Sequence, residues 1–274
     1  MRICKLGISL LLMININISA QLPKDLMSIP VLIEHIKRGT GFFIQDSTNF
    51  YLVTAKHVVF NPKSGKLYSN EMKLTCYEKD PIKGDKIEFN IDLIAADSLG
   101  LIIKQPKDDV LIIRMGRVNN LESGKSIINY YSAIQKLTKS TNINTFPIEY
   151  FTKYEDVNVG DEIYLFGYPT SLSLKDLHQF DYTRPLLRKG IIAGKYEPKK
   201  TLILDCPSYP GNSGGPILAV NNKISRIEYN LIGLVVEFIP YEKIKAPQNI
   251  ADTTNSGYSV AVSSSKILEL LNKH

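Results

Sequence analysis

The segment Pro210-Gly211-Asn212-Ser213-Gly214-Gly215-Pro216 sets one serine among glycines. A hydroxyl presented from such a turn can act as a nucleophile, and the glycines let the backbone aim successive N–H groups at one point. Two such donors could hold the negative charge of a tetrahedral intermediate, where loss of one donor costs roughly 10²- to 10³-fold in rate. A serine used this way needs a base, and the base needs a third group to orient it. Upstream of Ser213 the candidate bases are His35, His57 and His178. His57 stands out because it ends the apolar run Tyr51-Leu52-Val53-Thr54-Ala55, where a rigid element can hold an imidazole steady. The orienting group is expected to be a carboxylate positioned by packed structure. Asp109 precedes the apolar run Val110-Leu111-Ile112-Ile113, and its neighbour Asp108 competes with it. Adjacent strand residues face opposite ways, so one of the two can reach His57. Asp92 and Asp97 are weaker candidates, which otherwise read as solvated turn residues.

Gly211-Asn212-Ser213-Gly214-Gly215 also fits the G-x-S-x-G pattern of a nucleophile elbow. That arrangement places its histidine after the serine, and the histidine after Ser213 is His274, the last residue. It also requires strands alternating with long helices, which this pattern lacks.

The elements that must position these groups read as β structure. Short runs rich in Ile, Val, Phe and Tyr, bounded by Gly, Pro, Asn or Asp, occupy Ile29 to Ile33, Thr40 to Ile44, Tyr51 to Ala55, Ile87 to Ile94, Leu99 to Ile103 and Val110 to Ile113. A second series follows: Glu162 to Gly167, Lys189 to Ala193, Thr201 to Asp205, Pro216 to Val220, Leu231 to Phe238 and Tyr258 to Val262. Between them, Ile127, Ile128, Tyr131, Ile134 and Leu137 fall at helical spacing and predict one short helix within a connection over 116–160. Ser263-Ser264-Ser265 caps a terminal amphipathic helix carrying Ile267, Leu268, Leu270 and Leu271. The expected organisation is therefore an all-β half over 21–115, the connection, and a second all-β half with the helix over 161–274.

With 44% hydrophobic positions in 274 residues the chain can bury a sizeable core. The net charge of +6 is spread without a basic block, so nucleic acid is not expected as a partner. Three cysteines without a CxxC pair and four histidines give no zinc-ligand spacing, and no metal or cofactor is expected. Residues 1–20 read as a secretory signal: Arg2 and Lys5, an apolar run interrupted by Asn15 and Asn17, then Ser19-Ala20. The run is too short to span a bilayer, so cleavage after Ala20 and a periplasmic or extracellular protein are expected. Cys76 and Cys206 would then meet an oxidising compartment that permits a disulfide, with two buried free thiols the slightly favoured alternative.

The sequence resembles the trypsin-like (chymotrypsin-fold) serine peptidases, with the flavour of HtrA-type peptidase domains. The matching pieces are Gly39-Thr40-Gly41-Phe42-Phe43-Ile44, Thr54-Ala55-Lys56-His57-Val58, Asp109 to Ile113, Gly160-Asp161-Glu162 leading to Phe166-Gly167-Tyr168-Pro169, and Gly211 to Pro216. The resemblance implies two six-stranded antiparallel β-barrels with a C-terminal helix, and a secreted serine endopeptidase acting on protein or peptide substrates. It implies His57 as base, Asp109 as its acid, Ser213 as nucleophile, and the N–H groups of Gly211 and Ser213 as the oxyanion hole. It also implies a substrate pocket walled by Pro207, Ser208, Val235, Val236, Glu237 and the segment Tyr258 to Val260. Asp205 lies eight positions before Ser213, whereas the family's pocket-base acid lies six before, where this chain has Pro207. A small or aliphatic residue is thus expected in the pocket rather than Arg or Lys. Asn212 stands where the animal digestive enzymes have an aspartate, so activation by a new N-terminus is not expected, and the terminal helix implies a bare peptidase domain. Two other functions are an inactive binding module on the same scaffold and a secreted serine esterase.

Overall fold

The computed structural model describes residues 22–79, 84–120, 126–169, 179–223, 226–245 and 250–273. The proposed signal segment, His178 and His274 lie outside them. In chain order the first half contains Pro30–Glu34 (β1), Arg38–Gln45 (β2), Asn49–Thr54 (β3), a one-turn helix Lys56–Val59 (α1), Glu71–Tyr77 (β4), Lys86–Asp92 (β5), Leu93–Ser98 (α2), Ile102–Lys104 (β6) and Leu111–Asn120 (β7). Ser126–Tyr130 (β8), Ile134–Lys136 (β9) and Phe146–Pro147 (β10) follow. All ten strands join one sheet, along the path β6-β7-β3-β2-β1-β4-β5-β9, with β8 on β7 and β10 on β2.

The second half contains Glu162–Gly167 (β11), Leu186–Tyr196 (β12), Thr201–Asp205 (β13), Pro216–Asn222 (β14), Ile227–Lys245 (β15), Ile250–Ser263 (β16) and the helix Ser264–Leu271 (α3). These six strands close into an antiparallel barrel, β11-β12-β13-β16-β15-β14. The protein is all-β, with two barrel-like sheets of the trypsin type and a short C-terminal helix. Among the described residues, no helix is long and apolar enough to cross a membrane.

Two expectations need correction. The helix predicted from Ile127 to Leu137 is absent; those residues form β8 and β9, with Val118 opposite Ile128 and Ile91 opposite Ile134. Ile134 is buried while Ile127 and Leu137 are 49% and 45% exposed, so the helically spaced apolar residues do not share one buried face. Sheet pairing of β-branched residues overrides the spacing. The first sheet accordingly runs past residue 116 to Pro147, with ten strands where six were expected. A helix, α2, takes the end of the run Ile87 to Ile94 and the residues before Leu99, and Asp92 caps it by accepting a hydrogen bond from the Ala95 N–H at 2.9 Å.

The larger core fills the first sheet and continues into the second half through Leu218, Leu231 and Leu234, and into α3 through Ile267 and Leu270. Phe43 lies 4.8 Å from Phe50 and 5.7 Å from Phe89, ring centre to ring centre, anchoring the barrel interior. Complete burial of such a side chain contributes about 1.5–3 kcal/mol. A separate cluster with Ile163, Leu165, Leu202, Leu204 and Ile232 fills the second barrel. Cys76 and Cys206 are both free and buried, and burial pushes their thiols up to about 12 and about 11.

Candidate active site

Antiparallel pairing of β3 with β7 sets Thr54 opposite Leu111, so the chain beyond Thr54 and the chain before Leu111 leave the sheet at the same end. The first carries His57 in the single turn of α1, and the second carries Asp109 in the loop entering β7. Asp109 Oδ2 lies 2.6 Å from His57 Nδ1, and Asp109 Oδ1 accepts the backbone N–H of His57 at 2.9 Å. One carboxylate therefore fixes both the position of the α1 turn and the orientation of the ring. Burial pushes the Asp109 carboxyl up, but the hydrogen bond and charge of His57 outweigh it and hold the group below its ordinary value.

The competing acids are placed elsewhere. Asp108 faces Lys266 of α3 at 3.8 Å, Asp92 caps α2, and Asp97 lies 3.9 Å from Lys104. His35 stands in the turn between β1 and β2, where its Nδ1 accepts the Lys37 N–H and its ring stacks on Tyr68. Burial lowers the His35 pKa.

The serine loop begins with a turn in which Asn212 N–H donates to the Tyr209 carbonyl at 2.9 Å. Pro210 and Gly211 occupy its centre, and Gly211 has φ of 102°, the positive value that a type II turn demands at that position. Among the described residues, the N–H groups of Gly211 and Ser213 donate to no backbone carbonyl, while those of Asn212, Gly214 and Gly215 are taken by Tyr209, Val235 and Asn212. The two unclaimed donors flank the residue whose hydroxyl they would serve. Ser213 Oγ donates to the Val236 carbonyl at 3.4 Å; among the described residues it makes no hydrogen bond with His57.

The loop is locked onto the first sheet. Thr40 N–H donates to the Ser213 carbonyl at 2.9 Å, and Thr40 Oγ1 donates to the Gly211 carbonyl at 2.7 Å while accepting the Tyr168 N–H. Thr54 Oγ1 donates to the Thr40 carbonyl. Gly214, at φ of 86°, packs so tightly here that a Cβ would collide with the Thr40 carbonyl and Thr54 Oγ1. The interlock puts the serine loop of the second barrel beside the histidine end of the first. Neither threonine stood out in the sequence, where Thr40 was visible only as a residue between two glycines.

Of the residues expected in a substrate pocket, Val235 and Val236 are buried and Val235 pairs in both directions with the serine loop, its N–H on Gly215 and its carbonyl on Gly214 N–H. Ser208 is buried, with its hydroxyl accepting from Ser259 Oγ at 2.9 Å and its carbonyl accepting from Asn255 Nδ2. Pro207 is half-buried; Asp205 and Glu237 are exposed.

Residues 39–224 match the family of the trypsin-like peptidase domain. The chain belongs to the trypsin-like peptidase family. The matched span runs from the Gly39-Thr40-Gly41 strand through His57, Asp109 and Ser213 to the end of β14. Among solved structures, the chain is similar to the HtrA-type protease AlgW with a tripeptide, with a TM-score of 0.49 and 14% identity over 90% of this chain and 60% of that one. It is similar to Deg5 with a TM-score of 0.49 and 14% identity, over 89% of this chain and 87% of that one. The chain thus spans about 60% of the length of the AlgW chain. Lys56 is a further residue at the site that the sequence did not single out. Its Nζ donates to the carbonyls of Gln105 and Pro106 at 2.7 and 2.9 Å, tying α1 to the loop that delivers Asp109.

Proposed function

We propose that the peptidase is an exported serine endopeptidase in which Ser213 attacks a peptide carbonyl, His57 takes its proton and Asp109 orients the imidazole. The supporting observation is the two-point grip of Asp109 on His57, 2.6 Å to Nδ1 and 2.9 Å from the backbone N–H, beside a serine loop with two unclaimed N–H donors. The ionised carboxylate keeps the proton on Nδ1, which leaves Nε2 free to act as base and stabilises the imidazolium once it forms. The oxyanion settles on the N–H groups of Gly211 and Ser213. His57 then protonates the leaving amine, and water activated by the same ring releases the acyl group from Ser213. For this to begin, the Ser213 hydroxyl rotates from the Val236 carbonyl toward His57; catalytic hydrogen bonds are often loose before substrate binds. The buried Ser208–Ser259 pair beside Pro207, with hydroxyls bonded to each other and to the Cys206 carbonyl, places no charge there, which favours a small or aliphatic residue before the scissile bond. Export follows from the signal segment, with cleavage after Ala20.

The hydrogen bond from Ser213 to Val236 favours a second reading, a catalytically silent binding module. Labelling the purified protein with a fluorophosphonate separates the two. Stoichiometric modification of Ser213 by intact mass and peptide mapping, lost in Ser213→Ala and His57→Ala, supports the peptidase mechanism. A folded wild type that takes no label supports the silent module instead.

A further inference from the structure

Beside His57 a cleft of about 560 Å³ opens between the residues following α1 and the loop that enters β7. Its walls are unusual in their charge. Lys56, Lys104 and Lys107 all line it, together with two carboxylates, Asp108 and Asp109. Asp109 is engaged with His57, while Asp108 lies 3.8 Å from Lys266, an ammonium that also pairs with Glu269 at 3.0 Å. The lysines are not matched in the same way. Lys56 bonds only to neutral carbonyls, those of Gln105 and Pro106. Lys104 lies over the Phe60 ring, 3.5 Å from its centre, and its nearest acid is Asp97 at 3.9 Å. Lys107 is exposed and, among the described residues, has no hydrogen-bond or ionic partner. Three lysines therefore line an apolar-floored cleft, Lys107 without an ionic partner among the described residues and Lys104 held to Asp97 only at 3.9 Å.

We infer that this cleft is a subsite for an acidic side chain of the substrate, Glu or Asp, held near the scissile bond by Lys104 and Lys107 with its methylenes against Phe60. The inference rests on the peptidase reading, since it places a substrate chain across His57. The location carries it: a bound peptide that reaches Ser213 passes His57, and the cleft begins at His57 itself. A basic side chain there meets three like charges, and a neutral one leaves them solvated. An acidic one gains an attraction that the cleft's own acids cannot supply. Lys56 contributes field rather than contact, because its ammonium is committed to the loop carbonyls.

The test measures binding apart from hydrolysis. In the Ser213→Ala protein, fluorescence anisotropy compares two pools of labelled hexapeptides carrying Glu or Gln at each position in turn. At one or more positions the Glu pool binds about five-fold more tightly than the Gln pool, the scale of one or two partly exposed ion pairs. The preference shrinks with added salt. It falls toward unity in Lys107→Ala combined with Lys104→Ala, and inverts in favour of the Gln pool in Lys107→Glu. Equal binding of the two pools at every position, binding of neither, or a preference untouched by these substitutions overturns the subsite. Fluorophosphonate labelling of the wild type reports on Ser213 separately. Labelling without a Glu preference removes the subsite and leaves the peptidase reading, whereas a folded wild type that takes no label removes the peptidase reading and the substrate subsite with it.

Discussion

Replacing Asp109 by Asn tests the proposed site at its most constrained point. The carboxylate has two jobs, accepting the His57 backbone N–H on Oδ1 and facing Nδ1 on Oδ2. An asparagine amide can do one of them. If its oxygen keeps the backbone N–H, its NH₂ faces Nδ1, and the ring must carry its proton on Nε2, where the base is needed. If the amide turns over, Nδ1–H regains an acceptor, but the NH₂ then opposes the backbone N–H of His57. That second arrangement costs about 1–3 kcal/mol for the lost hydrogen bond and the donor facing donor. The variant also loses the charge that stabilises the imidazolium, about 4 kcal/mol at the intermediate dielectric of a surface-proximal pair and less at this half-open site. Together these correspond to a fall in kcat of about 10⁴-fold, or about 5 kcal/mol in the barrier, with KM little changed. Steady-state kinetics on any cleaved peptide measures it, with Asp108→Asn beside it as the neighbouring-residue control. A loss below tenfold in Asp109→Asn, or an equal loss in Asp108→Asn, refutes the assignment. The same variant carries a stability signature. Because the folded Asp109 titrates below its ordinary 3.8, its carboxylate contributes stability above that pH, and the contribution disappears as pH falls through the lower folded value. Acid unfolding of Asp109→Asn therefore lacks the part of the transition below pH 3.8 that the wild type owes to this group.

Two further outcomes follow from the geometry. Gly214→Ala places a methyl group against the Thr40 carbonyl and Thr54 Oγ1 at a positive φ, and is expected to destabilise the protein by about 3 kcal/mol or more in chemical denaturation while abolishing fluorophosphonate labelling of whatever remains folded. Lys56→Met unties α1 from the carbonyls of Gln105 and Pro106, so kcat should fall about tenfold with KM nearly constant; Lys56→Arg, which can reach the same carbonyls, should recover part of it, and no change in kcat would assign Lys56 to the surface alone.

What could be read from the sequence, and what could not, follows from how local each signal is. The six strands of the second half appear where short apolar runs predict them, because each run is bounded by its own turn residues. The serine loop was equally legible, since Pro210-Gly211 specifies a turn that needs no distant partner. The β8–β9 region was misread because Ile128 and Ile134 owe their strand conformation to Val118 and Ile91, partners far along the chain, and spacing within the segment carries no record of them. The choice between Asp108 and Asp109 failed for the same reason when argued from residues alone. Neither lies within a strand, so the rule that neighbours face opposite sides does not apply. The decision rests on Lys266, from the terminal helix, which engages one acid, and on the α1 backbone, which engages the other. Thr40 and Thr54 show the limit most clearly. The Thr40 side chain joins two halves separated by more than a hundred residues and Thr54 holds the Thr40 carbonyl, and the serine loop takes its position from that junction as well as from its own glycines. The chemistry proposed for Ser213 is thus written locally, in the turn that presents it. Its alignment with His57 is a property of how two barrels meet.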